Sequence, residues 1–160
     1  MSCIYSIKMF CPIAGYPNYI ISNEGLIYSQ KGEMKPTLRN GYKRIELRNK
    51  GQKKFSVHRL VYQHFGKNWN PELTVDHING DIADNRISNL RMATTQQQNY
   101  NRKNFNKLGV KGVYKSRDKY RAQININDKA FNIGTFETIE EAKEAYDTKA
   151  RELHGEFFKE

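Results

Sequence analysis

The sequence predicts an α+β protein built from small modules, each combining short antiparallel strands with a helix. Short apolar stretches separated by Gly and Asn turns fill the first third of the chain, and helical periodicity is confined to short segments. The 160 residues are 38% hydrophobic and 28% charged, which leaves little apolar material for one large core. Two or three small modules fit this composition better than a single domain.

The first part of the chain is predicted to form β-hairpins followed by one helix. Tyr19-Ile-Ile and Leu26-Ile-Tyr flank an Asn-Glu-Gly turn, and Tyr42-Lys-Arg-Ile-Glu-Leu alternates ahead of an Asn-Lys-Gly turn. Apolar residues at helical spacing then predict a short amphipathic helix over 57–65, which ends at Gly66.

The middle of the chain carries residue types that can hydrolyse a phosphodiester bond. An apolar strand leads into Asp76 and His77, and an Asn-Gly turn follows at 79–80. Such hydrolysis needs a base that deprotonates water and a divalent cation that neutralises the oxyanion, and a histidine and a carboxylate suit these roles. Because neighbouring strand residues point to opposite faces, the two side chains share a cavity only if the strand ends and turns there. In an alternative interpretation, His77 is a hydrogen-bonded loop histidine and Asp76 caps a turn.

The last third is predicted to form a two-faced hairpin and a capped helix. Residues 120–126 alternate between apolar and polar side chains, 127–128 form a tight turn, and a return strand ends at Gly134. A capping box that begins at Thr138 starts a helix that continues to Gly155.

Positive charge is concentrated in two segments of a chain whose net charge is +10. Residues 31–54 hold nine basic and two acidic side chains, and residues 111–129 hold six and two. Residues 137–160 hold four basic and eight acidic side chains. Tyrosines lie among the basic residues, a combination typical of surfaces that bind nucleic acid. We therefore expect one face to bind a polyanion.

Composition also excludes several classes of protein. No apolar run approaches the roughly 20 residues that span a bilayer, and the first residues lack the apolar stretch of a secretory signal. Cys3 and Cys11 cannot build a disulfide framework or a four-cysteine zinc site, so two free thiols are expected. We expect an intracellular protein, in the cytoplasm or nucleoid of a host cell, without membrane contact.

Four spaced motifs lie between residues 57 and 102. They are Val57-His-Arg-Leu-Val, Val75-Asp-His-Ile-Asn-Gly, Asn85-Arg-Ile-Ser-Asn-Leu-Arg, and a Gln/Asn-rich helix that ends at Asn101-Arg102. Together they resemble the HNH endonuclease motif of phage and intron-encoded homing enzymes. The resemblance implies a ββα-metal site in which His77 is the general base, Asp76 is a metal ligand and Asn89 orients the catalytic loop.

The second metal ligand of the family comes from the helix, and here the sequence departs from the family pattern. Family spacing places this ligand at Gln98, whereas asparagine, the usual residue type, stands at Asn99. A cap at Thr94 would put Gln98 at the fourth helical position, and a cap at Thr95 would put Asn99 there. We favour Asn99 and keep Gln98 as the alternative; a degenerate, inactive site is a further alternative.

The segments on either side resemble DNA-binding modules. The N-terminal half, from Phe10 to the strand that follows Gly41, resembles the small modular domain that precedes HNH cores, and residues 109–158 resemble the APETALA2-type DNA-binding domain. The second resemblance implies a three-stranded antiparallel sheet in the DNA major groove with a helix behind it. The candidate DNA-binding residues are Lys43, Arg44, Arg48, Lys53, Lys54, Arg59, Arg91, Arg102, Lys111, Tyr114, Lys115, Arg117, Tyr120, Arg121, Gln123 and Lys129. Tyr120 also fits the core, because it alternates with Ala122 and Ile124.

These observations predict four segments: a modular DNA-binding region (1–56), an HNH core (57–102), a linker (103–108) and an APETALA2-type domain (109–160). The predicted function is site-specific cleavage of double-stranded DNA, with a single Mg²⁺ or Mn²⁺ and a histidine base. We expect a homing endonuclease encoded by a phage or mobile element, acting as a monomer or weak dimer on DNA. The main alternative is a sequence-specific DNA-binding regulator with a degenerate HNH site. RNA is a weaker candidate, because its deep, narrow groove excludes a sheet shaped for B-DNA.

Overall fold

The computed structural model describes residues 7–101, 106–126 and 129–158, without the side chains of Tyr100 and Asn101. Cys3, Arg102, residues 103–105 of the predicted linker and the predicted turn at 127–128 lie outside the described residues. The chain forms two compact units, Met1–Ala93 and Thr94–Glu160. Cys11 is a free cysteine. Among the described residues, no helix has the length and apolar character needed to cross a membrane.

The described part of the first unit, residues 7–93, contains three small antiparallel sheets and one α-helix. The sheets consist of β1 (Phe10–Ile13), β2 (Tyr16–Ser22), β3 (Ile27–Ser29) and β4 (Gly32–Glu33); of β5 (Thr37–Arg39), β6 (Tyr42–Arg48) and β7 (Gln52–Ser56); and of β8 (Thr74–His77) and β9 (Leu90–Ala93). The helix α1 (Val57–Phe65) lies between β7 and β8 and ends at Gly66, which confirms the helix predicted there. A single turn of 3-10 helix (Ile87–Asn89) leads into β9.

The elements of the first unit share one hydrophobic core. Its buried members come from the early strands, α1 and the β8–β9 hairpin: Ile13, Ile21, Ile27, Ile45, Leu47, Val57, Leu60, Val61, Val75 and Leu90. The boundary predicted between residues 56 and 57 is therefore not a break between compact units. β7 passes directly into α1 at Val57, which is completely buried.

The second unit consists of a three-stranded antiparallel sheet and two helices: α2 (Thr95–Asn101), β10 (Val113–Ser116), β11 (Lys119–Ile126), β12 (Lys129–Phe136) and α3 (Ile139–His154). α3 packs against the sheet through Ala142, Tyr146 and Ala150. α2 contacts the turn Gly155–Phe157. α2 therefore groups with the second unit, so the predicted nuclease segment 57–102 is divided after Ala93.

Two local predictions for this unit have different outcomes. The capping box of α3 is present: the Thr138 hydroxyl accepts from the Glu141 N–H at 3.2 Å, and the Glu141 carboxylate accepts from the Thr138 N–H at 3.3 Å. The prediction that the return strand ends at Gly134 is wrong, because β12 continues to Phe136. Gly134 lies opposite Ala122, next to a shift in strand register, so this glycine marks a bulge.

A pair of glycines allows a test of the packing between α3 and the sheet. Gly109 and Gly112 have nearly the same φ, +70° and +71°. A Cβ at position 112 would lie 2.1 Å from the Tyr146 ring, whereas nothing lies within 4 Å of one at position 109. We expect Gly112→Ala to lower the free energy of unfolding by about 2 kcal/mol more than Gly109→Ala, because only the first overpacks the core. Urea unfolding measures the difference, and equal losses in the two variants would contradict it.

Candidate active site

The β8–β9 hairpin places Asp76 and His77 at the end of a buried strand. Asp76 lies opposite Arg91, and His77 lies opposite Leu90. The strand ends at His77, whose carbonyl accepts a hydrogen bond from the Gly80 N–H at 2.9 Å, and Gly80 has a φ of +74°. The strand therefore ends in a turn at the expected place. Asp76 is 4% exposed and His77 is 3% exposed.

Asp76 forms a buried ion pair with Arg91. The Arg91 Nε–H donates to Oδ2 of Asp76 at 3.0 Å, and the two side chains are 13% and 5% exposed. Sequence reasoning assigned Arg91 to DNA binding, whereas the structure directs its guanidinium at the predicted metal ligand. Cross-strand register explains this contact, because side chains directly opposite each other in an antiparallel pair are neighbours.

His77 is oriented by a different partner. Its Nε2 lies 3.1 Å from Oδ1 of Asn85, which is 3% exposed. An amide oxygen accepts a hydrogen bond from Nε2 when that nitrogen carries the ring proton, and Nδ1 is then the basic nitrogen of the neutral ring. Gly25 lies close to Asn85: a Cβ added at position 25 would be 3.0 Å from the Asn85 Cβ. A turn of the N-terminal sheet therefore supports the residue that orients His77.

Asn89 holds the two ends of the loop that follows His77. Its Oδ1 accepts from the Asn79 N–H at 2.9 Å, and its Nδ2 donates to the Asp84 carbonyl at 2.9 Å. Arg86 donates two hydrogen bonds to the Asp84 carboxylate, at 2.8 and 2.7 Å. These hydrogen bonds lower the pKa of Asp84 to about 2. Asn89, 7% exposed, thus makes contacts suited to a loop-orienting role.

His58 and Tyr42 pack around His77, a contact that sequence reasoning did not find. The ring centroids of His58 and His77 are 5.1 Å apart, and Tyr42 lies 5.3 Å from His58 and 6.2 Å from His77. Burial lowers the pKa of His58 to about 3, and His77 and nearby arginines add to the shift. The sequence signal is weak, because the three residues come from β6, α1 and β8.

The cap of α2 bears on the choice between Gln98 and Asn99. The Thr94 N–H donates to Oε1 of Gln97 at 2.8 Å, and the Gln97 N–H donates to the Thr94 hydroxyl at 3.1 Å. Thr94 is therefore the cap, which puts Gln98 at the fourth helical position. Asn99 helps to line a cavity of about 260 Å³ in the second unit, together with Lys111.

A family model for HNH endonucleases matches residues 55–100, the segment that contains α1, the β8–β9 hairpin and most of α2. The chain belongs to the HNH endonuclease family. Its relatives include the uncharacterized HNH endonuclease L560 of Acanthamoeba polyphaga mimivirus, which is 36% identical over 65% of this chain and 56% of that protein. Protein 3.8 of Escherichia phage T7 is 32% identical over 52% of this chain and 71% of that protein.

The HNH domain is also homologous to a phage homing endonuclease. DNA endonuclease I-HmuI of Bacillus phage SP01 is 41% identical over 51% of this chain and 50% of that protein. A solved structure that describes DNA binding and cleavage by I-HmuI matches with a TM-score of 0.52 and 38% identity, over 55% of this chain and 53% of that chain. The chain thus spans about half the length of I-HmuI and of the mimivirus protein.

The donor groups of the HNH domain suit a hard divalent cation. Among the described residues, no cluster of three or more His, Cys, Asp or Glu side chains could hold a metal ion by itself. Asp76 offers carboxylate oxygen, and Gln98 and Asn99 on α2 carry amides. Carboxylate and amide oxygens, completed by water and phosphate, are the ligands that Mg²⁺ prefers.

The predicted DNA-binding residues of the first unit divide into two groups. Arg59 is held by the protein: it lies over the Trp69 ring at 5.0 Å and donates to the carbonyls of Pro71 and Leu73, both at 3.2 Å. Arg91 is similarly engaged by Asp76. The others lie on β6 and β7, where Arg48, Lys53 and Lys54 are exposed and Lys43 and Arg44 are half-buried.

The predicted DNA-binding residues of the second unit lie on different faces of its sheet. Tyr114 pairs with Arg121 across β10 and β11, and Gln123 follows on the same face of β11. Tyr120 lies on the opposite face and packs against the core, as its alternation allowed. Lys115 pairs with Tyr120, Arg117 occupies the β10–β11 turn, Lys129 begins β12, and Lys111 is half-buried.

The buried His58 predicts a pH dependence of stability. Its pKa is 6.5 in its unperturbed form and about 3 in the fold, so between these values the unfolded chain binds a proton that the native protein does not. The titration of His58 therefore leaves the free energy of unfolding unchanged above pH 6.5 and lowers it as the pH falls from 6.5 towards 3. We expect acidification from pH 7 to 5 to destabilise the wild type by about 2 kcal/mol more than His58→Phe. Urea unfolding at both pH values tests this, and parallel losses would argue against a buried, neutral His58.

Proposed function

We propose that this protein is a site-specific DNA endonuclease of the homing type, which hydrolyses phosphodiester bonds with His77 as general base and a divalent cation, Mg²⁺ or Mn²⁺. The observation that carries the proposal is the fixed orientation of His77 by Asn85 at the end of β8. Similarity to I-HmuI supports a DNA substrate and the homing type. A base held in one orientation next to a carboxylate suits proton abstraction from water.

The described side chains have distinct tasks in this proposal. His77 accepts the proton of the attacking water on Nδ1, since Nε2 is directed at Asn85. Asn89 maintains the conformation of the loop that follows His77 and contains Asn85. Asp76 and an amide of α2, either Gln98 or Asn99, would hold the cation. When bound, the cation would neutralise charge on the phosphate and the leaving oxygen.

Two basic surfaces would hold double-stranded DNA. The cations of β6 and β7 lie in the segment with the strongest positive charge, and we assign them to the DNA backbone. In the second unit, the sheet face with Tyr114, Arg121 and Gln123 suits phosphates and base edges, as expected for an APETALA2-type domain. The acidic α3 packs against the other face of that sheet.

The proposal also covers the product of cleavage and the origin of the protein. Each chain carries one proposed active site, so a monomer would cut one strand and produce a nick. A double-strand break would need a weak dimer on DNA or two successive cuts. The relatives from mimivirus and phages support an origin in a phage or mobile element and action inside a host cell.

A plasmid assay tests the catalytic assignment. We expect supercoiled DNA to become open-circular or linear with Mg²⁺ or Mn²⁺ but not with EDTA, and His77→Ala to reduce the rate about 100-fold or more. His154→Ala, a histidine substitution in the second unit, is the matched control and should retain activity.

Failure of wild-type protein and His77→Ala alike to cut DNA, while both still shift it on a gel, would refute the nuclease. It would favour the DNA-binding regulator. A control variant as impaired as His77→Ala would show that the assay reports general damage to the protein and would contradict a specific role for His77.

Arg121 and Lys149 provide a test of the DNA-binding face. Arg121 lies beside Tyr114 on the open face of the sheet, whereas Lys149 lies on α3 and pairs with Glu152 at 2.8 Å. We expect Arg121→Gln to weaken DNA binding and to reduce the slope of log affinity against log salt concentration by about 1. Lys149→Gln should leave both quantities unchanged. Fluorescence anisotropy at several salt concentrations measures them, and equal effects of the two substitutions would contradict the assigned face.

A further inference from the structure

The carboxylate proposed to bind the cation is already neutralised by the protein. Asp76 and Arg91 are joined at 3.0 Å with side chains 5% and 13% exposed. Solvent and salt screen such a buried pair much less than an exposed one. The pair as a whole has no net negative charge with which to attract a divalent cation.

Two other features of the described first unit are positive or already neutralised. Arg44 and Arg59 both act electrostatically on His58, whose ring contacts His77. The Asp84 carboxylate in the following loop is taken up by two hydrogen bonds from Arg86. Pairing with Arg91 therefore makes Asp76 a weaker site for a cation than an unpaired carboxylate would be.

We propose that the divalent cation and DNA bind to this site cooperatively, with Arg91 keeping the affinity of Asp76 for the cation low until a DNA phosphate supplies negative charge. This inference rests on the proposed DNA substrate. Arg91 acts through Asp76 and is a positioning residue. A guanidinium is a planar group of donors whose geometry matches a phosphate. The phosphate would thus compensate both the arginine and the cation.

Linkage gives this inference two independent measurements. If DNA raises the affinity for the cation by some factor, the cation must raise the affinity for DNA by the same factor. We expect a factor of about 10 or more for Mn²⁺ and a short mixed-sequence duplex. The electron paramagnetic resonance signal of free Mn²⁺ gives the first value, with the duplex alone as blank. Fluorescence anisotropy of labelled duplex with and without Mn²⁺ gives the second, and a denaturing gel verifies that the duplex is uncut.

Variants of Arg91 test its part in the coupling. Arg91→Gln should bind Mn²⁺ without DNA about tenfold more tightly than the wild type and show weaker coupling to DNA. Arg91→Lys keeps the positive charge and should retain weak binding without DNA. Lys149→Gln is the matched control, because it removes a cation paired with a carboxylate on α3, and it should behave as the wild type. Circular dichroism and thermal unfolding verify that each variant is folded.

The inference is overturned if Mn²⁺ binds the wild type equally well with and without DNA. It is also overturned if folded Arg91→Gln leaves the affinity for Mn²⁺ without DNA unchanged. Should that variant fail to fold, the comparison of wild type with and without DNA still decides. Cleavage without coupling would refute this inference alone, and coupling without cleavage would refute the proposed nuclease alone.

Discussion

The first unit depends on keeping one polar ring, that of His77, buried and in a single orientation. A histidine that is 3% exposed needs a hydrogen-bond partner, and Asn85 provides one. Asn85 lies in a loop that Asn89 ties at both ends, and the same loop is packed against the turn at Gly25. The N-terminal sheets therefore help to build the site, which explains why they share a core with α1 and the β8–β9 hairpin.

Two carboxylates of the β8–β9 hairpin and its loop are neutralised by arginines of the same segment. The carboxylates of Asp76 and Asp84 are each paired with an arginine, and His58 remains neutral through burial. Positive charge is left in excess on β6 and β7. Such a surface attracts a polyanion, which agrees with the proposed DNA substrate.

Features that depend on neighbours in the sequence were predictable, and those that depend on distant residues were not. The end of α1 at Gly66, the capping box at Thr138 and the turn after His77 all follow from local patterns, and the structure has each of them. The inward contacts of Arg59 and Arg91 require knowledge of which residues lie opposite them across the fold. Charge alone assigned both arginines to DNA. The contact between His58 and His77 was missed for the same reason, since α1 and β8 meet only in the folded unit.

The sequence of α2 allows two helix caps that differ by one residue, and the cap decides which amide occupies the fourth helical position. Thr94 with Gln97 and Thr95 with Gln98 both match a capping box, so the sequence is consistent with either register. The structure uses the first pair, with reciprocal hydrogen bonds between Thr94 and Gln97. In the second register, the side chain of Gln98 would be taken up by the cap, and Asn99 would stand at the fourth position. With Gln97 in the cap, the side chain of Gln98 is not part of it. The cap that starts α2 thus places Gln98, rather than Asn99, at the fourth helical position.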